Sequence, residues 1–173
     1  MSRPRVPERI LRAVEALDLA GDERVLELAC GRGVAAELLL ARHPRLTYLA
    51  VDRSAAAVAA AAARNAAAIA QGRLRTLCCP LEELGPDIAP EGPFDVVFAI
   101  NVNLFWTTTT TAVAQSLADL MSPGARVWLF VEAPGGVGRA VGPALRSLDI
   151  PALTADASEA GGLTVVRATK RPG

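Results

Sequence analysis

The sequence predicts an α/β chain built on a doubly wound, mostly parallel sheet, and three observations carry that expectation. Short apolar runs alternate with segments of helical character, the pattern of strands joined by crossover helices. The run Phe94 to Ile100 is apolar almost throughout, as parallel strands buried on both faces are. Val25 to Leu28 passes directly into a glycine turn, Ala29-Cys30-Gly31-Arg32-Gly33, and that turn opens a helix at Val34. Glycines at such a turn accept positive φ and let a ligand approach backbone that carries no Cβ. The N–H groups of the helix start then face that ligand.

The elements follow in order. Met1 to Pro7 is polar and proline-containing and reads as a loose arm. Glu8 to Leu19 places Ile10, Leu11, Val14 and Leu17 on one face, an amphipathic helix ended by Gly21-Asp22. Arg24 to Leu28 is the first strand. Val34 to Ala41 is a helix closed by His43-Pro44. Leu46 to Val51 is the second strand and ends on Asp52. Ser54 to Ala70 is rich in alanine, the best helix former, with Ser54 as its N-cap and Gly72 as its stop. Leu74 to Cys78 is the third strand, Pro80 to Gly92 a connection, and Phe94 to Ile100 the fourth strand. The threonine run Thr107 to Thr111 caps and begins a helix that continues to Met121, where Pro123-Gly124 breaks it. Arg126 to Val131 is the fifth strand, ending at Glu132. Pro134-Gly135-Gly136 is a loop, and Val137 to Leu148 a short helix. Leu153 to Ala155 and Leu163 to Thr169 are the closing strands.

Composition narrows the function. The 173 residues are expected to form a single domain, large enough for a real core. Lys plus Arg and Asp plus Glu are both 18, and aromatics are 4%, so neither a basic surface nor base-stacking platforms point to nucleic acid. Cys30, Cys78 and Cys79 lack CxxC spacing, which argues against a disulfide framework and against a metal site. No apolar h-region follows Met1 and no apolar run reaches ~20 residues, so a cytoplasmic protein off the membrane is expected.

Ligands of such sheets bind outside the carboxyl ends of the strands. Standing there are the turn from Ala29 to Gly33, Asp52, the segment from Cys79 to Glu82, the segment from Asn101 to Trp106, and Glu132. Glu27 is an ionisable group inside an apolar strand, where an unpaired carboxylate is costly. Asp52 follows the turn at the ~20-residue spacing that puts a carboxylate on the neighbouring strand tip, where its two oxygens suit the hydroxyls of a ribose. It also fits the N-terminal partner of the helix that starts at Ser54. His43, the sole histidine, precedes the second strand and so lies at the wrong end of the sheet. The cysteines read as small buried thiols rather than nucleophiles.

Glu27-x-Ala29-x-Gly31-x-Gly33, then Leu49-Ala50-Val51-Asp52, then Phe94 to Asn101, then Met121 to Val127, resemble the class I S-adenosylmethionine-dependent methyltransferases. The segments Asn101 to Trp106 and Val131 to Pro134 resemble small, stand-alone members of that superfamily. The resemblance covers roughly residues 8 to 133. It implies a Rossmann-like sheet of seven strands with one antiparallel strand near the C-terminus. It implies S-adenosylmethionine as cofactor, a small-molecule acceptor, and a monomer or homodimer.

The residue roles it implies are these. Glu27 and the turn through Ala29, Cys30, Gly31 and Gly33 hold the methionine part. Asp52 takes the ribose hydroxyls, with Arg53 beside the adenine and Leu81 and Glu82 at the adenine edge. Asn101 closes the pocket near the methionine end through its backbone. Asn103, Phe105 and Trp106 face the acceptor, although Phe105 and Trp106 fit core packing equally well. Glu132 is a general base, a substrate contact or a hydrogen-bonded loop residue. Two positions depart from the family pattern. Ala29 replaces the first glycine and is expected only to narrow the turn, and Pro80 replaces an acid that accepts from the adenine amine. A sulfonium methyl is already activated, so alignment of acceptor and methyl is the main catalytic demand.

Two other readings stay open. Gly31-x-Gly33-x-x-Ala36 also fits the dinucleotide fingerprint of an NAD-dependent oxidoreductase, against which stand Glu27 and the absence of a Tyr-x-x-x-Lys pair. A methyltransferase-like protein that binds the nucleoside or a partner without turnover is the other.

Overall fold

The computed structural model describes residues 5–87, 89–107, 110–132, 138–160 and 162–172, and the side chains at 106, 107, 138 and 139 also fall outside it. The expected loop at Pro134-Gly135-Gly136, Thr108, Thr109, the first residues of the arm and the Trp106 side chain therefore lie outside the described residues.

The strands form one seven-stranded sheet in the order β3-β2-β1-β4-β5-β7-β6. They are β1 (Arg24–Leu28), β2 (Thr47–Asp52), β3 (Leu74–Cys78), β4 (Phe94–Ile100), β5 (Met121–Val131), β6 (Leu153–Ala160) and β7 (Leu163–Lys170). β1 to β5 pair in parallel, and β7 runs antiparallel to both β5 and β6. The expected fold class is thus met, including the single reversed strand. The strand order turns back beside β1, between β1 and β4. The crevice at the strands' carboxyl ends is therefore placed over the glycine turn.

Helices cover both faces. On one, α1 (Glu8–Ala16), α2 (Val34–Arg42), α3 (Ala55–Arg64) and α4 (Ala66–Ala70) pack against Val25, Tyr48, Phe98 and Phe130. On the other, α5 (Leu104–Thr107), α6 (Thr111–Asp119) and α7 (Gly138–Leu148) pack against Leu26, Leu49, Val97 and Leu129.

Several boundaries differ from expectation, each for a local reason. The alanine-rich segment is two helices. Asn65 interrupts it, because its buried Nδ2 donates to Gly33 O at 3.0 Å and to Ala61 O at 2.9 Å. A side chain bonded to the carbonyl four residues back competes with helix continuation. Ser54 does cap α3, accepting from Ala57 N at 3.3 Å. β5 begins at Met121 and absorbs Pro123-Gly124, with its pairing to β4 shifted between Phe94 and Val96. Proline is tolerated at such an irregularity because no ladder bond needs its nitrogen. β6 continues to Ala160, past the expected end at Ala155. Its sequence, LTADASEA, is poor in strand formers, so it depends on the ladder to β7, with Leu153 anchoring its start in the core. Among the threonines, Thr110 holds the N-cap position of α6 but makes no side-chain cap bond. Its N–H donates instead to Ser147 Oγ at 3.1 Å.

Gly33 has φ +70°, and a Cβ there would lie 2.7 Å from Asn65 Nδ2 and 2.9 Å from Ala61 Cα. The close approach of α3 to the turn therefore requires glycine. Gly33→Ala is expected to destabilise the fold by about 2–4 kcal/mol, combining overpacking with left-handed strain. A fall of about 5–15 °C in unfolding temperature, read by circular dichroism, is the corresponding observation.

Candidate functional site

The crevice beyond the strand tips holds two clefts. The larger is about 440 Å3 and is lined on one side by Asp52, Arg53, Leu81 and Glu82. Its other side is Ile100 to Leu104, the segment that follows β4. The smaller, about 260 Å3, is lined by Glu27, Cys30, Gly31 and Arg32, and by Pro7, Arg9 and Ile10 of the α1 end. Ala29 and Ile100 line both, so the two clefts adjoin along the turn.

Asp52 ties the crevice together. Its Oδ2 accepts from Gly31 N at 2.9 Å, and its Oδ1 accepts from Ser54 N at 2.9 Å. Both readings of this residue thus meet in one carboxylate, which spans the turn and the start of α3. Each carboxylate oxygen retains acceptor capacity for a further donor. Gly31 has φ +53°, and a Cβ there would meet nothing within 4 Å. The turn therefore presents bare backbone to open space, a cradle that fits a ligand approaching over it.

Ala29 corrects an expectation. Its φ is +52°, so the methyl does more than narrow the turn: it stands on left-handed backbone where glycine is unstrained. Asn101 has φ +59°, a conformation asparagine tolerates. Its N–H donates to Phe130 O at 2.8 Å and its Oδ1 accepts from Glu132 N at 3.2 Å, which closes the tips of β4 and β5 together.

Glu27 is buried, and Tyr48 Oη donates to its Oε2 at 2.8 Å. Burial pushes its carboxyl up to about 8, helped by the charge of Asp52 and opposed by the Tyr48 bond. Burial together with Glu27 likewise holds the Tyr48 hydroxyl and the Cys30 thiol well above their ordinary ranges. Cys30 is therefore a neutral thiol, as is Cys79, raised first by burial and then by nearby Glu83. Neither has thiolate character for a nucleophile.

The structure thus brings Ala29, Asp52, Arg53, Leu81, Glu82, Asn101 and Asn103 to one cleft and Glu27, Cys30 and Gly31 to the next. Three residues are placed elsewhere. Gly33 lines neither cleft, and its glycine serves the packing of α3. Phe105 is buried in the core on the α6 and α7 side, not on a cleft wall. Glu132 is exposed and lines neither cleft. Two residues escaped the sequence reading, Tyr48 and Asn65. A tyrosine two positions into a strand beside Glu27 was a visible signal for the first, but nothing marked the second. No cluster of three metal-ligating side chains occurs among the described residues, and none of their helices is long and apolar enough to cross a membrane.

A family model described as "Methyltransferase domain" matches residues 26–127, more than half of the chain, which therefore belongs to the class I S-adenosylmethionine-dependent methyltransferases. The cofactor is S-adenosylmethionine, which decides against the dinucleotide reading. A curated relative, trans-aconitate 2-methyltransferase of Methylobacterium nodulans, is 34% identical over 61% of this chain, and the match spans 37% of that relative's length. Among solved structures, the [4+2]-cyclase SpnF superposes with a TM-score of 0.73 at 17% identity, covering 96% of this chain and 81% of that one. The S-adenosylmethionine-dependent methyltransferase SibL superposes with a TM-score of 0.69 at 19% identity, covering 95% and 55%. At these identities the superpositions show the fold.

The raised Glu27 carboxyl has a consequence for stability. An unfolded glutamate titrates at 4.5, so between there and about 8 the folded chain keeps a proton that the unfolded chain has lost. Its contribution is complete below the unfolded value and declines as pH rises toward the folded one. Unfolding temperatures of the ligand-free protein measured from about pH 5 to pH 8 are expected to fall less steeply for Glu27→Gln than for the wild type.

Proposed function

We propose that this chain transfers the methyl group of S-adenosylmethionine to a small-molecule acceptor, with the cofactor across the tips of β1 and β2. The observation that carries the reading is Asp52 beside open space over Gly31, at the strand-order reversal. When bound, the sulfonium supplies a methyl already activated for transfer. Asp52 offers its remaining lone pairs to the ribose hydroxyls, while Arg53, Leu81 and Glu82 bound the adenine. Glu27 and the N–H groups of the turn serve the methionine end. Val102, Asn103 and Leu104 form the acceptor side of the larger cleft, and Asn101 fixes where that side begins. These residues position rather than exchange protons, so catalysis rests on alignment. Glu132, outside both clefts, is given no role as a base. The small-molecule acceptor draws support from the curated relative, whose name specifies one.

A second reading has its own support. SpnF carries the same fold and is named as a cyclase, so the fold alone does not dictate methyl transfer. In that reading the nucleoside is held without turnover. Release of S-adenosylhomocysteine in the presence of a panel of candidate acceptors separates the two. Release with one acceptor supports transfer, and calorimetric binding of the cofactor without release from any supports the second reading.

Asp52→Ala is expected to weaken S-adenosylmethionine binding roughly 10- to 150-fold, the loss of a charge-assisted hydrogen bond worth ~1.5–3 kcal/mol. Calorimetric titration reads this directly, and unchanged affinity would remove the ribose assignment. Gly31→Val fills the open space above the turn, so cofactor binding should vanish while the far-ultraviolet circular dichroism stays close to wild type.

A further inference from the structure

Away from the crevice, a groove of about 330 Å3 is floored by β5, β7 and β6. Alternate residues of a strand share a face, so its floor is a grid of two rows. In one row Arg126 stands opposite Thr169, and Thr169 opposite Thr154. In the next, Trp128 stands opposite Arg167, and Arg167 opposite Asp156. The row beyond, with Phe130 and Val165, packs with Ala13 and Val14 of α1. α1 ends at Ala16, and Asp18, just past that end, stands at the rim of the groove. Arg126 pairs with Val96 and Val96 with Val25 at the amino end of β1, so the first row lies at the opposite end of the strands from the crevice.

Arg167 is the group this floor leaves unfinished. Its guanidinium carbon lies 4.4 Å from the centre of the Trp128 ring. That contact answers the charge, but the N–H donors of a guanidinium need acceptors of their own. Arg167 has no ion-pair or hydrogen-bond partner among the described residues, and its Nε is buried without one. This holds although Asp156 is its direct cross-strand neighbour. A buried donor left without an acceptor is costly. Arg126, by contrast, is held: it meets Glu23 Oε1 at 3.1 Å and lies 3.9 Å from Asp18. The threonines add hydroxyl donors. Thr154 Oγ1 accepts from Arg171 Nε at 3.0 Å, which leaves its own hydrogen to donate. Neighbouring strands lie ~4.8 Å apart, so a group above Thr169 is within reach of both Arg167 and Thr154.

We propose that this groove is a second ligand site, separate from the cofactor crevice, which binds the oxyanion group of a small molecule, a carboxylate or a phosphate. Arg167 supplies the charge and two parallel donors, and Thr169 and Thr154 supply hydroxyls. Asp156 and Asp18 are exposed at the two margins, where they disfavour a polyanion and leave room for one oxyanion on an otherwise uncharged molecule.

The test titrates the isotope-labelled full chain with benzoate and, separately, with inorganic phosphate at constant ionic strength. Magnetic resonance follows the Arg167 Nε–H and the Trp128 indole N–H. Saturating shifts of both signals are expected with one probe, at a Kd of about 1 mM or tighter, and the tighter probe names the oxyanion. Arg167→Gln, read at Trp128, should weaken binding about tenfold or more. Thr169→Val changes an exposed side chain and should weaken it several-fold, which keeps the test open if Arg167→Gln fails to fold. Asp156→Asn should strengthen it. Shifts that grow linearly with both probes overturn the proposal. Saturable binding that neither Arg167→Gln nor Thr169→Val changes overturns it too, as does weaker binding by Asp156→Asn.

Discussion

The site depends on one carboxylate that bridges two backbone N–H groups. Asp52 leaves the end of β2 and accepts from Gly31 in the turn after β1 and from Ser54 at the start of α3. A charged acceptor between two fixed donors holds three chain segments at one point, each bond stronger than a neutral one. The turn cannot be displaced from the strand tips without breaking it. The carboxylate also sits at the N-terminal end of α3, where negative charge is favoured. A group that organises the crevice in this way is already oriented for a ligand that asks for its remaining lone pairs. That is preorganisation in the ordinary physical sense, since the ordering cost is met during folding.

Behind the turn a second set of contacts does the same work from the packing side. α3 approaches so closely that Gly33 has no room for a Cβ, and Asn65 fills the seam with its buried amide. The helix is interrupted at the residue whose amide reaches the Gly33 carbonyl. Of the two glycines, one thus answers to the protein and the other to open space. Gly33 is needed because α3 is near, whereas at Gly31 the φ of +53° favours glycine and the space above it is open. A shared motif therefore hides two separate physical demands.

That division also marks how far the sequence could be read. Strands β1 to β5, the turn and Asp52 were legible because each is a local pattern: an apolar run, a pair of glycines, an acid at a strand end. The capping serine of α3 was legible for the same reason. What escaped depends on partners distant in sequence. Asn65 looked like one polar residue in an alanine helix, and only its bond to Gly33 gives it meaning. β6 has almost no strand character of its own and exists through β7. Phe105 stood near the expected acceptor wall, but the burial of a large ring against α6 and α7 took it into the core. The sequence placed residues at the right end of the sheet. It did not say which way a side chain turns once there.

Glu27 shows why that last step matters for the chemistry. The sequence marked it as an acid that needed a reason, and the structure supplies part of one, a Tyr48 hydroxyl within hydrogen-bonding distance. A single neutral donor does not offset burial, so the group is held protonated near neutral pH, and the charge of Asp52 pushes in the same direction. The charge of Asp52 thus adds to burial in opposing ionisation of Glu27. A cation entering between them relieves the repulsion and favours the ionised form of Glu27, whereas an anion or a neutral ligand does neither. On the proposed reading, a positively charged nucleoside is thus favoured because its charge offsets the cost of ionising the buried Glu27 beside Asp52.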